Sequence, residues 1–266
     1  MKRVKSRCLR NFSLMLITAG LCTAFCLEGK TKNTEAAITP TAKQALAIAT
    51  MKDMSNVKWK PTNDVTIYSK KYAKNTVFTG IPYNQNRDDK KLDFAVACGY
   101  KWDSSFGGYI YSSTSGNVGN DCSSAVAIAL QSVNSSIKYK NINTTTFMYC
   151  TKNGSYSGEG LSLKTVGGYK TNSEYTNTID YNTLTVYYNK IKPGDVLLYR
   201  YKDADGNLHK HVVLVVEATA GSVKITDQIG RSSGDTNSSW RHEKQFSYYK
   251  LYEGKFLPIR ESSVTA

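Results

Sequence analysis

The order of apolar and polar residues divides the chain into a helical first part and a strand-rich second part. Residues 41–54 carry Ala and Leu at helical spacing after a Thr that can cap a helix, and the apolar residues 91–99 predict a second helix. Between residues 122 and 133, apolar side chains cover most sides of a helix, which is typical of a buried one. The sequence therefore predicts a buried central helix that begins at Asp121 or Cys122.

Residues 192–228 have the pattern of strands. The turn KPGD leads into VLLYRY, the polar tip KDADGNLHK leads into HVVLVVE, and the turn ATAGS leads into VKITDQ. Short apolar runs separated by Gly, Asp and Asn turns predict an antiparallel meander, and residues 245–260 predict two more strands. Helices first and an antiparallel sheet second indicate an α+β fold. The polar, poorly patterned residues 134–182 are interpreted as an insertion.

The N-terminus has the order of a secretory signal. Five basic residues lie between positions 2 and 10, a mainly apolar stretch covers residues 12–27, and small residues follow. The apolar stretch is short for a membrane-spanning helix, which needs about 20 residues. We therefore expect a signal peptide within residues 1–37, cleaved between 24 and 37, or an uncleaved N-terminal anchor. The rest of the chain is expected to be secreted or associated with the cell wall.

Removal of residues 1–37 would leave an N-terminal segment of residues 38–90 and a main domain of residues 91–266. It would lower the formal net charge from +14 to +9. A basic surface could hold the protein on an anionic wall polymer, or it could serve only solubility. Scattered Lys residues without a recognition motif argue against nucleic acid as a partner. The pattern predicts no particular oligomeric state.

Three cysteines remain beyond residue 37, namely Cys98, Cys122 and Cys150. Either Cys98 and Cys150 form a disulfide that leaves Cys122 free, or all three are reduced and partly buried. No two of them have the spacing of metal ligands, and no cofactor is expected.

Cys122 and His211 are the candidate nucleophile and base. Cys122 lies at the start of the predicted central helix, where backbone N–H groups and the helix dipole stabilise an anion such as a thiolate; a small buried core residue would give the same local pattern. His211 begins an apolar strand directly after a polar turn, so the strand would fix its imidazole. The next strand ends in Asp227 and Gln228, which point to opposite faces, so only one of them can orient His211.

Other histidines and acidic residues offer weaker alternatives. His209 shares a strand face with His211 and could be the base, or the two could ligate a metal, although no third ligand is evident. His242 lies in the charged segment SWRHEK and is expected at the surface. Residues 203–207 resemble half a calcium loop without its closing Glu, which favours a hairpin turn.

Two segments resemble known families of cell-wall enzymes. GYIYSSTSGNVGNDCSSAV is similar to the signature of NlpC-type cysteine peptidases, and KPGDVLLY followed by HVVLVVE resembles their strand pair. HVVLVVEATAGSVKITDQ resembles the histidine segment of CHAP amidases even more closely. The resemblance covers about residues 95–260. It implies a papain-like α+β core in which a central helix carrying the cysteine packs on an antiparallel sheet.

Carried onto this chain, the resemblance implies a role for four residues. Cys122 would be the nucleophile, His211 the base and Asp227 the orienting third residue, with Gln228 as the alternative. Tyr109 would match the upstream tyrosine that helps to position the cysteine and the oxyanion, which would also contact the backbone N–H of Cys122.

Four further positions bear on the substrate cleft. Tyr83 in TGIPYNQ and Ser123 are candidates to line it, although Tyr83 could equally belong to an ordinary turn. Ser124 and Val213 stand where the families usually have Gly, and both are expected to narrow the cleft.

The residues and the resemblance together predict a secreted cysteine peptidase or amidase that hydrolyses peptidoglycan stem peptides. Acyl transfer to an acceptor other than water would use the same residues. A catalytically silent wall-binding or structural domain of the same fold is the alternative from another class.

Overall fold

The computed structural model describes residues 36–171, 173, 179–230 and 239–265, so the predicted signal peptide lies almost entirely outside the described residues. Helix α1 (Ala42–Ser55) confirms the first predicted helix. It begins at Thr41, whose N–H donates to the side chain of Gln44 (2.8 Å) while its hydroxyl accepts from the Gln44 N–H (3.4 Å). Across the part of the chain that is described, no helix has the length and apolar character needed to cross a membrane.

A small sheet and a hairpin follow α1. Their elements, together with helix α2, are β1 (Lys58–Pro61), β2 (Val65–Ile67), β3 (Lys70–Tyr72), β4 (Phe78–Thr79), α2 (Lys91–Ala97), β5 (Trp102–Asp103) and β6 (Gly108–Tyr111). In the described residues the sheet has the order β4-β1-β6-β5, and β2 pairs with β3. The buried ring of Trp59 lies within 6 Å of four aromatic rings: Tyr72, Phe78, Phe94 and Tyr111.

The middle of the chain contains the predicted central helix and the segment interpreted as an insertion. Its elements are α3 (Cys122–Gln131), a 3₁₀ turn (Tyr139–Asn141), α4 (Thr144–Asn153), β7 (Ser155–Gly158), β8 (Leu161–Thr165) and α5 (Tyr181–Tyr188). Every residue of α3 from Cys122 to Leu130 is buried, as predicted. Residues 134–182 are not only a surface insertion, because two of their strands, β7 and β8, extend the main sheet.

The remaining elements build that main sheet. They are β9 (Val196–Lys202), β10 (Leu208–Ala218), β11 (Ser222–Gln228), β12 (Trp240–Ser247), α6 (Tyr248–Glu253), β13 (Leu257–Glu261) and α7 (Ser262–Thr265). Within the described residues the sheet has seven strands in the order β12-β11-β10-β9-β13-β8-β7, and every neighbouring pair is antiparallel. The predicted meander is β9 to β11, and the fold is mixed α and β, compatible with the predicted α+β class.

The prediction of two strands across residues 245–260 was only partly right. Residues 248–253 form α6, because the Ser247 hydroxyl caps the helix by accepting from the N–H of Lys250 (3.2 Å), and because Tyr248 and Leu251 turn into the core. The single strand β13 follows.

Both faces of the main sheet are buried at β10, which explains the unbroken apolar run of this strand. Val212 and Leu214 pack into a core with α1 and α3, whereas Val213 and Val215 pack into a second core with α5 and α6. Because successive side chains of a strand point to opposite faces, a strand covered on both sides has no polar alternation.

A buried ion pair ties the KPGD turn to β13. Asp195 is fully buried, and its carboxylate accepts from Nε (2.8 Å) and Nη2 (2.7 Å) of Arg260 and from the N–H of Lys192 (2.8 Å). Burial raises the pKa of Asp195, so its charge depends on the guanidinium.

We expect Arg260→Met to lower the free energy of unfolding by about 3–5 kcal/mol, because it leaves Asp195 buried without a counter-charge. Urea denaturation followed by circular dichroism measures the loss. Lys164→Met is the matched control, since Lys164 lies opposite Arg260 in the β8–β13 register but is exposed. It should change stability by less than about 0.5 kcal/mol. Equal losses in the two variants would contradict the role of the ion pair.

Candidate active site

Cys122 is the first residue of α3, and the helix cap leaves its backbone N–H free. The Asp121 carboxylate accepts from the N–H of Ser124 (2.8 Å), and the Ser124 hydroxyl accepts from the N–H of Asp121 (2.9 Å). This capping box uses the amide of the third helical residue, so the N–H of Cys122 stays available to a ligand. Ser124 stands where the families usually have Gly. Its hydroxyl and N–H both bond to Asp121 in the helix cap, so it does not narrow the cleft.

His211 of β10 is held by a fully buried carboxylate. Its Nε2 is hydrogen-bonded to Oδ2 of Asp227 on β11. Arg241 of β12, opposite Asp227 in the strand register, donates Nε–H to Oδ1 (2.9 Å) and Nη2–H to Oδ2 (2.5 Å). The Asp227 charge is therefore shared by a histidine and an arginine. Arg241 lies next to His242 in a strand-forming segment, but its pairing with Asp227 was not predicted from the sequence.

The ionisation of this group follows from its contacts. Burial lowers the pKa of His211, but the charge of Cys122 and the hydrogen bond to Asp227 outweigh it and raise that pKa to about 9. Burial raises the pKa of Asp227, but hydrogen bonds from His211 and Arg241 bring it below its ordinary value. These contacts favour the protonated imidazole beside the carboxylate, with Nε2 engaged by Asp227.

The other two cysteines of the described residues are unpaired and differ from Cys122 in their surroundings. Cys98 and Cys150 are both buried, and burial raises the pKa of each thiol to about 12. They form no disulfide with each other, so the alternative of three reduced cysteines describes this structure. A thiol that stays protonated is a poor nucleophile, which leaves Cys122 as the reactive candidate.

Gln228, the alternative third residue, points away from His211. Its amide donates to the carbonyl of Ile81 (2.9 Å), which also accepts from the indole of Trp240 (2.8 Å). The two bonds fasten the segment before Tyr83 to the main sheet. Gln228 therefore positions the cleft wall, whereas Asp227 contacts the imidazole.

Val213 stands where the families usually have Gly, and it too leaves the cleft unchanged. Its side chain is fully buried in the core with α5 and α6.

Tyr109 lies away from the thiol, whereas Tyr83 lines the cleft, as was predicted for it. Tyr109 lies in β6, where its ring packs on Trp102 at a centroid distance of 5.1 Å, and it lines neither cavity at Cys122. Tyr83 lines both cavities. Its hydroxyl accepts from the amide of Gln85 (2.6 Å), whose carbonyl accepts from the hydroxyl of Tyr68 (2.6 Å).

This chain of hydrogen bonds leaves the proton of the Tyr83 hydroxyl free to donate into the cleft. Burial raises the pKa of Tyr83 to about 12, so the hydroxyl keeps that proton at neutral pH. Tyr83, and not Tyr109, is therefore the tyrosine that can contact an oxyanion at Cys122.

The Tyr83 segment is bound to the residues that precede α3. The N–H of Asn84 donates to the carbonyl of Asn120 (2.9 Å), and the N–H of Asn120 donates to that of Pro82 (3.1 Å). Gly119, at φ 124°, is required here because a Cβ would lie 2.4 Å from the Pro82 carbonyl. These contacts fix Tyr83 beside Cys122.

Two cavities flank the thiol and share Tyr83, Cys122 and Lys210. The helix-side cavity, of about 300 Å³, is lined by the starts of α3 and α4: residues 121–123, residues 143–145, Tyr83, Gln85 and Lys210. Ser123 contributes to it, as predicted for the cleft. The sheet-side cavity, of about 270 Å³, contains the base and its neighbours: His211, Arg241, Tyr199, Gln228, residues 229–230, Tyr83, Cys122 and Lys210. A substrate that crosses the thiol can thus extend to both sides.

The remaining histidines lie apart from the thiol. His209 is exposed on the β9–β10 tip, where its Nε2 lies 2.8 Å from Oδ2 of Asp203 and its ring stacks on Tyr201. His242 is exposed and lines a separate cavity with Glu243. The described residues contain no group of three or more His, Cys, Asp or Glu side chains arranged to hold a metal ion.

We expect the pKa of His211 to fall by about 1–3 units in Cys122→Ser, because the thiolate charge that raises it is lost while burial still lowers it. The pH titration of the histidine ring resonances by NMR measures the change. His242 is the internal control, since burial lowers its pKa and Cys122 is not among the groups that act on it. An unchanged His211 midpoint would show that the thiol and the imidazole do not interact.

No family model, no curated protein and no solved structure matches the chain, so the assignment of this site rests on its own geometry.

Proposed function

We propose that the protein is a cysteine peptidase or amidase with Cys122 as nucleophile and His211 as acid and base. One observation carries this proposal. The thiol at the start of a buried helix lines the same cavity as the imidazole of His211, and a buried carboxylate orients that imidazole. Activation of a thiol requires a nucleophile, a base and a group that orients the base. Cys122, His211 and Asp227 are side chains of these three types.

In the first half of the reaction, the thiolate of Cys122 attacks the carbonyl carbon of an amide. The carbonyl oxygen becomes an oxyanion and accepts from the N–H of Cys122 and the hydroxyl of Tyr83. The imidazolium of His211 then donates its proton to the nitrogen of the leaving amine. The C–N bond breaks, and the acyl group stays on the sulfur as a thioester.

In the second half, water attacks the thioester and gives its proton to the neutral His211. The C–S bond breaks, which releases the carboxylic acid and restores the thiolate–imidazolium pair. Asp227 stays ionised throughout, because Arg241 stabilises its charge in both protonation states of His211. The proposed cycle uses the side chains named above and one water molecule.

A peptide of the bacterial cell wall is the substrate class that we propose. The resemblance of the sequence to NlpC-type peptidases and CHAP amidases supports it. The helix that carries Cys122 also packs on the strands that carry His211 and Asp227, which is compatible with such an enzyme. The basic charge of the chain favours retention on an anionic wall polymer.

Cys122→Ala is expected to abolish the release of peptide fragments from a muropeptide digest, because Cys122 is the thiol that lines a cavity together with His211. Liquid chromatography with mass spectrometry measures the products. Cys98→Ala is the matched control and should cleave like the wild type, since Cys98 lies in the core of the small sheet. Equal digests from the wild type and Cys122→Ala would contradict the proposal and favour a silent wall-binding domain.

Tyr83→Phe is expected to lower kcat by about 10²–10³-fold, the usual loss when one oxyanion donor is removed. The phenyl ring keeps its packing on Tyr68, so the KM should change little. Steady-state kinetics on a purified muropeptide measures both constants. Tyr109→Phe is the control and should retain the wild-type kcat; a larger loss in Tyr109→Phe would reverse the assignment of the two tyrosines.

A further inference from the structure

The helix-side cavity has a wall that the proposed reaction does not use. This wall is the first turn of α4, which belongs to residues 134–182. Thr144 lines the cavity with only 6% of its surface exposed. Neither its hydroxyl nor its backbone N–H has a hydrogen-bond partner among the described residues.

The neighbouring groups of α4 are already satisfied. The Asn143 side chain accepts from the N–H of Thr145 (2.8 Å), and the Asn143 carbonyl accepts from the N–H of Thr146 (3.0 Å). Thr144 is thus the residue of this turn whose donors remain open. The Thr144 side chain lines this cavity without a partner of its own, so its donors are free to meet a ligand oxygen there.

Two features of this wall attract an anion. Lys210 lines the same cavity and forms no ion pair with the residues that the structure describes, and the start of α4 adds the positive end of its helix dipole. Asp121 is the acidic residue of the cavity. Its Oδ1 is occupied by the Ser124 N–H (2.8 Å) and the Ser123 hydroxyl (3.0 Å).

We propose that the helix-side cavity is a subsite for a carboxylate-bearing residue of the peptide substrate. One carboxylate oxygen accepts from the N–H and hydroxyl of Thr144, and the ammonium of Lys210 pairs with the charge. The subsite lies next to the thiol, so it selects peptides with a free carboxylate close to the scissile amide. This inference rests on the proposed peptidase function for its substrate, but the anion site itself can be tested without turnover.

The first experiment compares iodoacetate with iodoacetamide as alkylating agents of Cys122 in the intact protein. The two reagents differ in one carboxylate, and mass spectrometry of the Cys122 peptide gives the two rate constants. The ratio of the iodoacetate to the iodoacetamide rate should fall about fivefold in Lys210→Gln, because a cation beside the thiol is lost. His211 favours the anionic reagent in every variant and cancels in the comparison. Lys164→Gln, on an exposed position of β8, should leave the ratio unchanged.

The second experiment uses two peptide substrates that differ only in a free carboxylate or a carboxamide beside the scissile bond. The wild type should show a higher kcat/KM for the carboxylate peptide. Thr144→Val keeps the shape of the side chain and removes the hydroxyl, so it should reduce this preference by about tenfold, the usual loss for one hydrogen bond to a charged group. Thr185→Val, on α5, is the control and should retain the preference.

The outcomes separate the subsite from the proposed reaction. An unchanged alkylation ratio in Lys210→Gln, or an equal kcat/KM for the two peptides in the wild type, would overturn the subsite. A protein that cleaves neither peptide but shows the expected drop of the ratio in Lys210→Gln would retain the anion site and lose the peptidase function.

Discussion

The site depends on one buried negative charge. Asp227 is fully buried, and a carboxylate in that position is stable only because His211 and Arg241 contact it from two neighbouring strands. The pairing of the strands brings His211 and Arg241 to Asp227 from either side. The register of β11 with β12 shifts between Ile225 and Asp227, which places Arg241 opposite the carboxylate. Bulges of this kind commonly redirect a side chain next to an active site. The geometry of the imidazole is therefore a property of the whole meander.

Much of this arrangement could be predicted because its signals are local. Cys122 follows a capping Asp and precedes a helix that is apolar on most sides, so the start of α3 is readable from a few residues. His211 opens an apolar run after a polar tip, and a hairpin of that length returns Asp227 to its side. Whether Asp227 or Gln228 would face the imidazole could not be read from the chain, because alternation makes the choice depend on the register. The contacts place Asp227 there.

The rest could not be predicted because it depends on contacts between distant segments. Tyr83 was a candidate for the cleft wall, but Tyr109 was expected to be the tyrosine beside the thiol. Backbone hydrogen bonds to Asn120, 37 positions along the chain, place the Tyr83 segment there instead, whereas Tyr109 packs on Trp102. Residues 134–182 show no clear periodicity, since α4 opens with three Thr residues and buries only part of its surface. Their role in the sheet becomes visible only when β8 pairs with β13, nearly a hundred residues later. Arg241 escaped notice for the same reason, because its partner is on another strand.

The position of β13 has a consequence for how the chain acquires its shape. This late segment lies in the interior of the sheet, where it joins β9 on one side to β8 on the other. The meander and the hairpin of β7 and β8 are thus separate pieces until residues 257–261 have been synthesised and inserted between them. Such long-range closure is slow, since loop entropy is lost before the pairing is gained. A nascent chain would therefore keep the meander and the hairpin of β7 and β8 apart until residues 257–261 have emerged from the ribosome.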